Sequence, residues 1–320
     1  MRGTTFNILH DKIVLLAGQA HPALAEEVAR CLDKSLGSAT VEHFPDGEIS
    51  IKINEDVRGT DVFILQPTCP PVNENLMELL LLIDCCKRAS AGRVTAVVPY
   101  FGYARKDRKD EGRVPISAKL VADLLTIAGA DRILTLDLHS AQIQGFFDIP
   151  VDHLFAKPVM IKYLSNLKSE KLTIVAPDAG SIKMARSYAQ RLKAGLAIVD
   201  KRRATGRSTA VEHLIGDVDG SDVILVDDMI STAGSITEAV KTVKKFGADK
   251  VIICATHPVL CDDALKKLEA AEVEQVIVTD SIPLGEKKSP KIQVISIAGL
   301  LADVIENIHY SQSVSRLFDF

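Results

Sequence analysis

Short apolar, β-branched runs alternate with amphipathic helical stretches along the whole chain, and this alternation restricts the fold more than any other feature. The runs at residues 13–17, 62–65, 94–99 and 133–137 show no polar alternation, so the strands they form are covered on both faces. Helical stretches at residues 22–36, 73–90 and 116–127 separate them; Pro22 opens the first and Gly37 stops it. The second half continues with strands near 172–176, 196–199, 223–226, 251–255, 276–279 and 292–295. Strands alternating with helices pack as parallel sheets with helices on both faces, an α/β fold. Asp46-Gly47, between runs at 41–44 and 49–53, has the chemistry of a tight hairpin turn.

An internal echo adds a domain count. Asp61-Val62-Phe63-Ile64-Leu65, a loop, a helix, then Gly92-Arg93-Val94 and a strand ending in Pro99 make one unit. Asp222-Val223-Ile224-Leu225-Val226, a loop, a helix, then Asp249-Lys250-Val251 and a strand followed by His257-Pro258 make another. The second unit starts about 161 residues after the first, half of a 320-residue chain, which suits two domains. The expectation is two similar domains, residues 1–156 and 157–320.

The loops of the two copies differ. Gln66-Pro67-Thr68-Cys69-Pro70 follows the first strand; Asp227-Asp228-Met229-Ile230-Ser231-Thr232-Ala233-Gly234-Ser235 follows the second. Small residues let backbone N–H groups approach a ligand, and the helix that opens there favours an anion. Ser231, Thr232 and Ser235 add hydroxyls. Asp227 and Asp228 would repel a phosphate, so they suit sugar hydroxyls or a metal. A phosphorylated sugar meets all of these demands.

Composition narrows the partners. A net charge of −4 gives no field for nucleic acid or an anionic membrane, yet residues 105–113 form a locally basic loop. The N-terminal residues lack the apolar run of a secretory signal, and the longest apolar stretch is broken by Glu78 and Asp84. Six cysteines show no CxxC pair; most sit in apolar stretches and read as buried thiols in a reducing cytoplasm.

The stretch from Asp227 to Ser235 resembles the phosphoribosyl-diphosphate loop of the type I phosphoribosyltransferase fold. Other segments are similar to those of the ribose-phosphate diphosphokinase family: Phe44-Pro45-Asp46-Gly47-Glu48, Val98-Pro99-Tyr100-Phe101-Gly102-Tyr103-Ala104-Arg105, Pro115-Ile116-Ser117-Ala118-Lys119, Asp137-Leu138-His139, Pro177-Asp178-Ala179-Gly180 and Asp200-Lys201-Arg202-Arg203. The resemblance runs in order over nearly the whole chain. It implies two phosphoribosyltransferase-type domains, each a mainly parallel sheet flanked by helices. The implied activity moves the diphosphoryl group of ATP to the 1-hydroxyl of ribose 5-phosphate, with Mg2+ as cofactor. Inorganic phosphate as activator and a homohexamer are implied as well.

No G-x-x-x-x-G-K-[ST] loop is present, so ATP is not held in a Walker cradle. The resemblance assigns ATP to the first domain, with Phe44 stacking, Asp46, Gly47 and Glu48 on adenine edges, and Arg105 and Lys106 on the triphosphate. Arg suits that last task because its planar fork grips phosphate oxygens. His139 and Asp178 become metal sites, on the ATP and ribose sides respectively. Lys201 and Arg203 become the catalytic pair, with Arg203 also touching substrate. Asp227, Asp228, Ser231, Thr232, Ala233, Gly234 and Ser235 hold the sugar phosphate. Arg58, Asp110, Arg113, Ser313, Val314, Ser315 and Phe318 match positions implicated in allostery. Four positions depart from the family pattern: Lys106 stands for Gln, Ser181 for Gly, Ser231 for Asp and Ser235 for Thr. A non-catalytic regulatory homologue and a nucleobase-using phosphoribosyltransferase are the alternative readings.

Overall fold

The structure is a computed structural model that describes residues 12–201 and 212–315. The chain divides into two compact units, Met1–Phe155 with Ala298–Phe320, and Ala156–Ile297.

In the first unit, strands β1 (Ile13–Ala17), β4 (Asp61–Leu65), β5 (Arg93–Val98), β6 (Arg132–Leu136) and β7 (Val151–Leu154) form one parallel sheet in that order. Strands β2 (Ala39–His43) and β3 (Ile49–Ile53) pair antiparallel as a separate hairpin. Val62, Phe63, Ile64 and Leu65 are fully buried, as a strand covered on both faces requires. Helix α1 (Pro22–Cys31) is shorter than the expected 22–36 stretch. Helix α2 (Val72–Arg88) buries Leu76, Leu79, Ile83 and Cys86 at helical spacing. Its charges suit the helix dipole, with Glu74 in the first turn and Lys87 and Arg88 in the last. Helix α3 (Ser117–Ala128) stops at Gly129, where φ is 111° and an added Cβ would lie 2.6 Å from the Lys87 side chain.

The second unit opens with α4 (Lys157–Leu164). Its seven-stranded sheet has the order β10 (Glu212–Ile215), β9 (Gly195–Lys201), β8 (Leu172–Ala176), β11 (Asp222–Ile230), β12 (Val251–Pro258), β13 (Gln275–Thr279), β14 (Ile292–Ile295). Only β10 runs antiparallel to its neighbour. Helices α5 (Ile182–Leu192), α6 (Gly234–Lys245) and α7 (Ala264–Ala270) connect the strands. Val223, Leu225, Val251 and Ile253 share a core with Ile236, Val240 and Val243 of α6. Asp227 and Asp228, expected just beyond a strand end at 226, lie inside β11; pairing continues with Asp227 opposite Ala255 and Met229 opposite His257.

Helix α8 (Ala298–His309) corrects the expected second domain, residues 157–320, because it packs on α1 in the first unit. Its end is pinned there: Arg93 donates to the Ile308 carbonyl at 3.1 Å, and the His309 ring meets Asp61 at 2.9 Å. Asp61 is fully buried and also paired with Arg93. Helix–strand alternation does not say which sheet a terminal helix covers. Among the described residues, no helix is long and apolar enough to cross a membrane.

Candidate active site

Parallel pairing places the carboxyl ends of β8 and β11 side by side, where open α/β sheets hold their ligands. Beyond β8, Asp178 Oδ1 accepts the N–H groups of Gly180 at 2.9 Å and Ser181 at 3.2 Å, which turns the chain into α5. The Ser181 hydroxyl donates across to Asp227 Oδ1 at 2.8 Å, and the Asp228 N–H donates to the same oxygen at 2.9 Å. Burial first, then the charge of Asp228, pushes the Asp227 carboxyl up to about 7; Asp178 adds a weaker push and the Ser181 hydrogen bond opposes it.

The loop after β11 is held by its backbone. The Leu260 N–H donates to the Ile230 carbonyl at 2.9 Å, and the Cys261 N–H donates to the Ser231 carbonyl at 2.8 Å. Ala233 is buried and left-handed, with φ of 59°. Thr232 and Ser235 are exposed on either side of it, and Ser231 and Gly234 are half-buried. No side chain caps α6, whose N-terminus faces this turn, so backbone N–H groups and the helix dipole present a seat for an anion. Lys201 is the last residue of β9, opposite Glu212 of β10. Arg203 lies outside the described residues.

The remaining expected site residues belong to the first unit. Phe44, Asp46, Gly47 and Glu48 form the exposed tip of the β2–β3 hairpin. Gly47, at φ of 93°, donates to the Phe44 carbonyl at 2.8 Å, and Asp46 Oδ1 accepts the Glu48 N–H at 3.2 Å. Arg105 is exposed beyond β5. Lys106 is occupied within its own loop: its amine donates to both oxygens of Asp110 at 2.9 and 3.0 Å, which raises the lysine pKa and lowers that of the aspartate. An expected ATP contact and an expected allosteric residue therefore form one pair. His139 is exposed beyond β6; the turn carrying it is held by His153, whose Nε2 accepts the Leu138 N–H at 2.9 Å.

Of the allosteric candidates, Arg58 and Arg113 are exposed. Ser313 and Ser315 hydrogen-bond to each other at 2.8 Å beside half-buried Val314. Phe318 lies outside the described residues. Sequence reasoning missed two positioning contacts, Ser181 to Asp227 and His153 to Leu138. Only Ser181 carried a signal, as a departure from the glycine of its motif.

The carboxylate of Asp178, beyond β8, suits a hard cation such as Mg2+, while Asp227 on the neighbouring strand offers acceptors for hydroxyl groups. Among the described residues no three His, Cys, Asp or Glu side chains form a metal-binding group. An ion here would therefore complete its shell with water and substrate oxygens, as Mg2+ does.

A parallel α/β sheet whose strand end carries paired acids, a left-handed turn and an uncapped helix defines a phosphoribosyltransferase-type unit; the second unit has all of these, and the first shares the parallel sheet frame without the acids. Residues 13–129 match the family model described as the N-terminal domain of ribose phosphate pyrophosphokinase, and residues 203–319 match the phosphoribosyl synthetase-associated domain. The ribose-phosphate pyrophosphokinase of Rhodopirellula baltica is 53% identical over 311 residues, covering 96% of this chain and 98% of that one. That of Neisseria meningitidis is 49% identical over 313 residues, covering 97% and 96%. The crystal structure of phosphoribosylpyrophosphate synthetase from Mycobacterium smegmatis superposes with a TM-score of 0.88 at 44% identity, over 94% of this chain and 99% of that one. The chain belongs to the ribose-phosphate pyrophosphokinase family. The enzyme reading is favoured over the regulatory and nucleobase-using alternatives.

Proposed function

We propose that the chain transfers the diphosphoryl group of ATP to the 1-hydroxyl of ribose 5-phosphate, giving 5-phosphoribosyl 1-diphosphate and AMP. The observation that carries the sugar-phosphate half is the end of β11: two acids, then a left-handed turn, then an uncapped helix. The acids accept hydrogen bonds from ribose hydroxyls, while backbone donors of residues 231–235 and the start of α6 hold the 5-phosphate.

In the reaction the sugar 1-oxygen bonds to the β-phosphorus of ATP and gives up its proton to solvent, while the bond from that phosphorus to the α,β-bridging oxygen breaks and AMP leaves with that oxygen. Such transfers depend on positioning and on neutralising charge that spreads over phosphate oxygens. Lys201 and Arg203 are assigned that charge, with Lys201 on the strand that flanks β8. Arg105 and Lys106 hold the triphosphate, with the Lys106 amine exchanging Asp110 for phosphate oxygens. Phe44 and the Asp46–Glu48 tip hold adenine. Asp178 on the sugar side and His139 on the ATP side would each hold an Mg2+ ion, which would supply Lewis-acid polarisation of phosphoryl oxygens.

A homohexamer, activation by inorganic phosphate, an effector site including Arg58, Asp110, Arg113, Ser313, Val314, Ser315 and Phe318, and a cytoplasmic location complete the reading. Six free cysteines accord with a reducing compartment.

AMP release from ATP and ribose 5-phosphate, with Mg2+ and phosphate present, is the direct test. Lys201→Ala is expected to cut kcat by roughly 100-fold or more, the scale seen when one transition-state donor is removed. Wild-type protein that releases no AMP, or a Lys201→Ala variant as fast as wild type, contradicts the assignment.

A further inference from the structure

We propose that Ser181 is a positioning residue that links the acid at the end of β8 to the acid at the end of β11, so that cation and sugar bind as coupled events. The inference rests on the sugar-phosphate reading of this site. Ser181 is 6% exposed, so water does not compete freely for its hydroxyl. That hydroxyl has one proton and two carboxylate acceptors within reach, Asp227 Oδ1 at 2.8 Å and Asp178 Oδ1 at 3.2 Å. The shorter contact goes to Asp227. Asp178 is anchored independently by the main-chain N–H groups of Gly180 and Ser181.

The two acids are therefore held differently. The Asp178 turn is set by backbone, whereas the only donors described on Asp227 are the Ser181 hydroxyl and the Asp228 N–H. A cation that takes a lone pair of Asp178 removes the competing acceptor, and the Ser181 proton is then committed to Asp227. The carboxylate that receives sugar hydroxyls is thereby fixed in one orientation before the sugar arrives. Glycine, the usual residue in this motif, has no hydroxyl to share. By linkage the effect is reciprocal: bound sugar raises cation affinity by the same factor.

The backbone at Ser181, with φ of −85° and ψ of −1°, is open to any residue, so alanine and glycine fit without strain. The experiment uses the full chain without ATP, so no turnover occurs. The dissociation constant for ribose 5-phosphate is measured by calorimetry with and without MgCl2 for wild type, Ser181→Ala, Ser181→Gly and Ser181→Thr. Wild type is expected to bind the sugar about fivefold or more tightly with Mg2+, the lower end of ordinary coupling. In Ser181→Ala and Ser181→Gly the ratio should fall to within about twofold of one, and Ser181→Thr should restore it. A purely structural serine would shift melting temperature but leave this ratio intact. A ratio in Ser181→Ala equal to that of wild type overturns the inference alone. Wild-type protein that binds no ribose 5-phosphate overturns the sugar reading and the inference together.

Discussion

The two units share a five-strand parallel frame and differ in what stands at the end of its second strand. Strands β1, β4, β5, β6 and β7 repeat as β8, β11, β12, β13 and β14, and in each unit an antiparallel pair is inserted after the first strand. In the first unit that pair is the detached β2–β3 hairpin; in the second it extends the main sheet as β9–β10. After β4 the chain closes on itself. Gln66, fully buried, accepts the Ala20 N–H at 3.1 Å; Glu78, 2% exposed, accepts the Gln19 N–H at 2.6 Å; Asn75 donates to the Cys69 carbonyl at 2.7 Å. After β11 the acids stay half-buried beside the uncapped N-terminus of α6. One frame is closed by buried polar contacts at this point and the other carries the proposed sugar-phosphate site, so duplicated topology does not imply duplicated chemistry.

The contrast is most exposed to attack at Gly18. An added Cβ there would lie 2.3 Å from Gln66 Oε1 and 2.6 Å from Glu78 Oε1, and neither buried side chain can move without breaking its own hydrogen bond. Gly18→Ala is expected to destabilise the first unit by about 3 kcal/mol, the upper range for overpacking. The second unit should keep its stability. Urea unfolding followed by proteolysis of each unit reads the two separately. Equal loss in both units, or none in the first, breaks the picture of a sealed strand end.

The open end should behave in the opposite sense. The folded-state pKa of Asp227 stands at about 7, above the ordinary 3.8, so ionising it costs stability as pH rises from about 4 and the full cost is present above 7. Asparagine keeps an acceptor for the Ser181 hydroxyl and carries no charge. Asp227→Asn is expected to be more stable than wild type at pH 8, by about 1–2 kcal/mol, and to lose that advantage as pH falls through 7 towards 4. Melting curves of the two proteins across pH 4–8 decide it. A variant less stable than wild type at pH 8 means that the acid is not under strain. AMP formation should fall in this variant, so stability and activity move in opposite directions at this end.

Most of this frame is legible in the sequence because fully buried strands leave unbroken apolar runs such as 62–65. Two strands escape that rule. Val151–Leu154 and Glu212–Ile215 lie at sheet edges and carry Asp152, His153, Glu212 and His213, so nothing in their pattern demands burial. The acids at 227 and 228 are visible as site chemistry, but their polarity hides the continuation of β11 to Ile230. The tie from Ser181 to Asp227 is invisible for another reason: it joins residues 46 apart that only the β8–β11 pairing brings together. The placement of α8 on the first unit depends on the distant partners Asp61 and Arg93.

The smallest expected effect tests how complete the open end is. By the resemblance, Ser231 replaces a carboxylate, and its own carbonyl is fixed by the Cys261 N–H, so the loop backbone does not depend on its side chain. Ser231→Asp therefore adds an acceptor for a ribose hydroxyl without rebuilding the turn. A hydrogen bond to a charged group contributes about 1.5–3 kcal/mol before repulsion is counted. Asp227 and Asp228 oppose a third charge nearby, which leaves roughly 1 kcal/mol, or about a fivefold lower KM for ribose 5-phosphate at saturating Mg2+. The KM for ATP should not move, because the ATP contacts are assigned to the other unit. At low Mg2+ the gain should vanish, since the added charge then lacks a cation to offset it. Steady-state kinetics at two Mg2+ concentrations reads all three quantities. A KM for ribose 5-phosphate that stays level or rises at saturating Mg2+ means that Ser231 does not face the sugar and that Asp227 and Asp228 already form the whole acidic half of the seat.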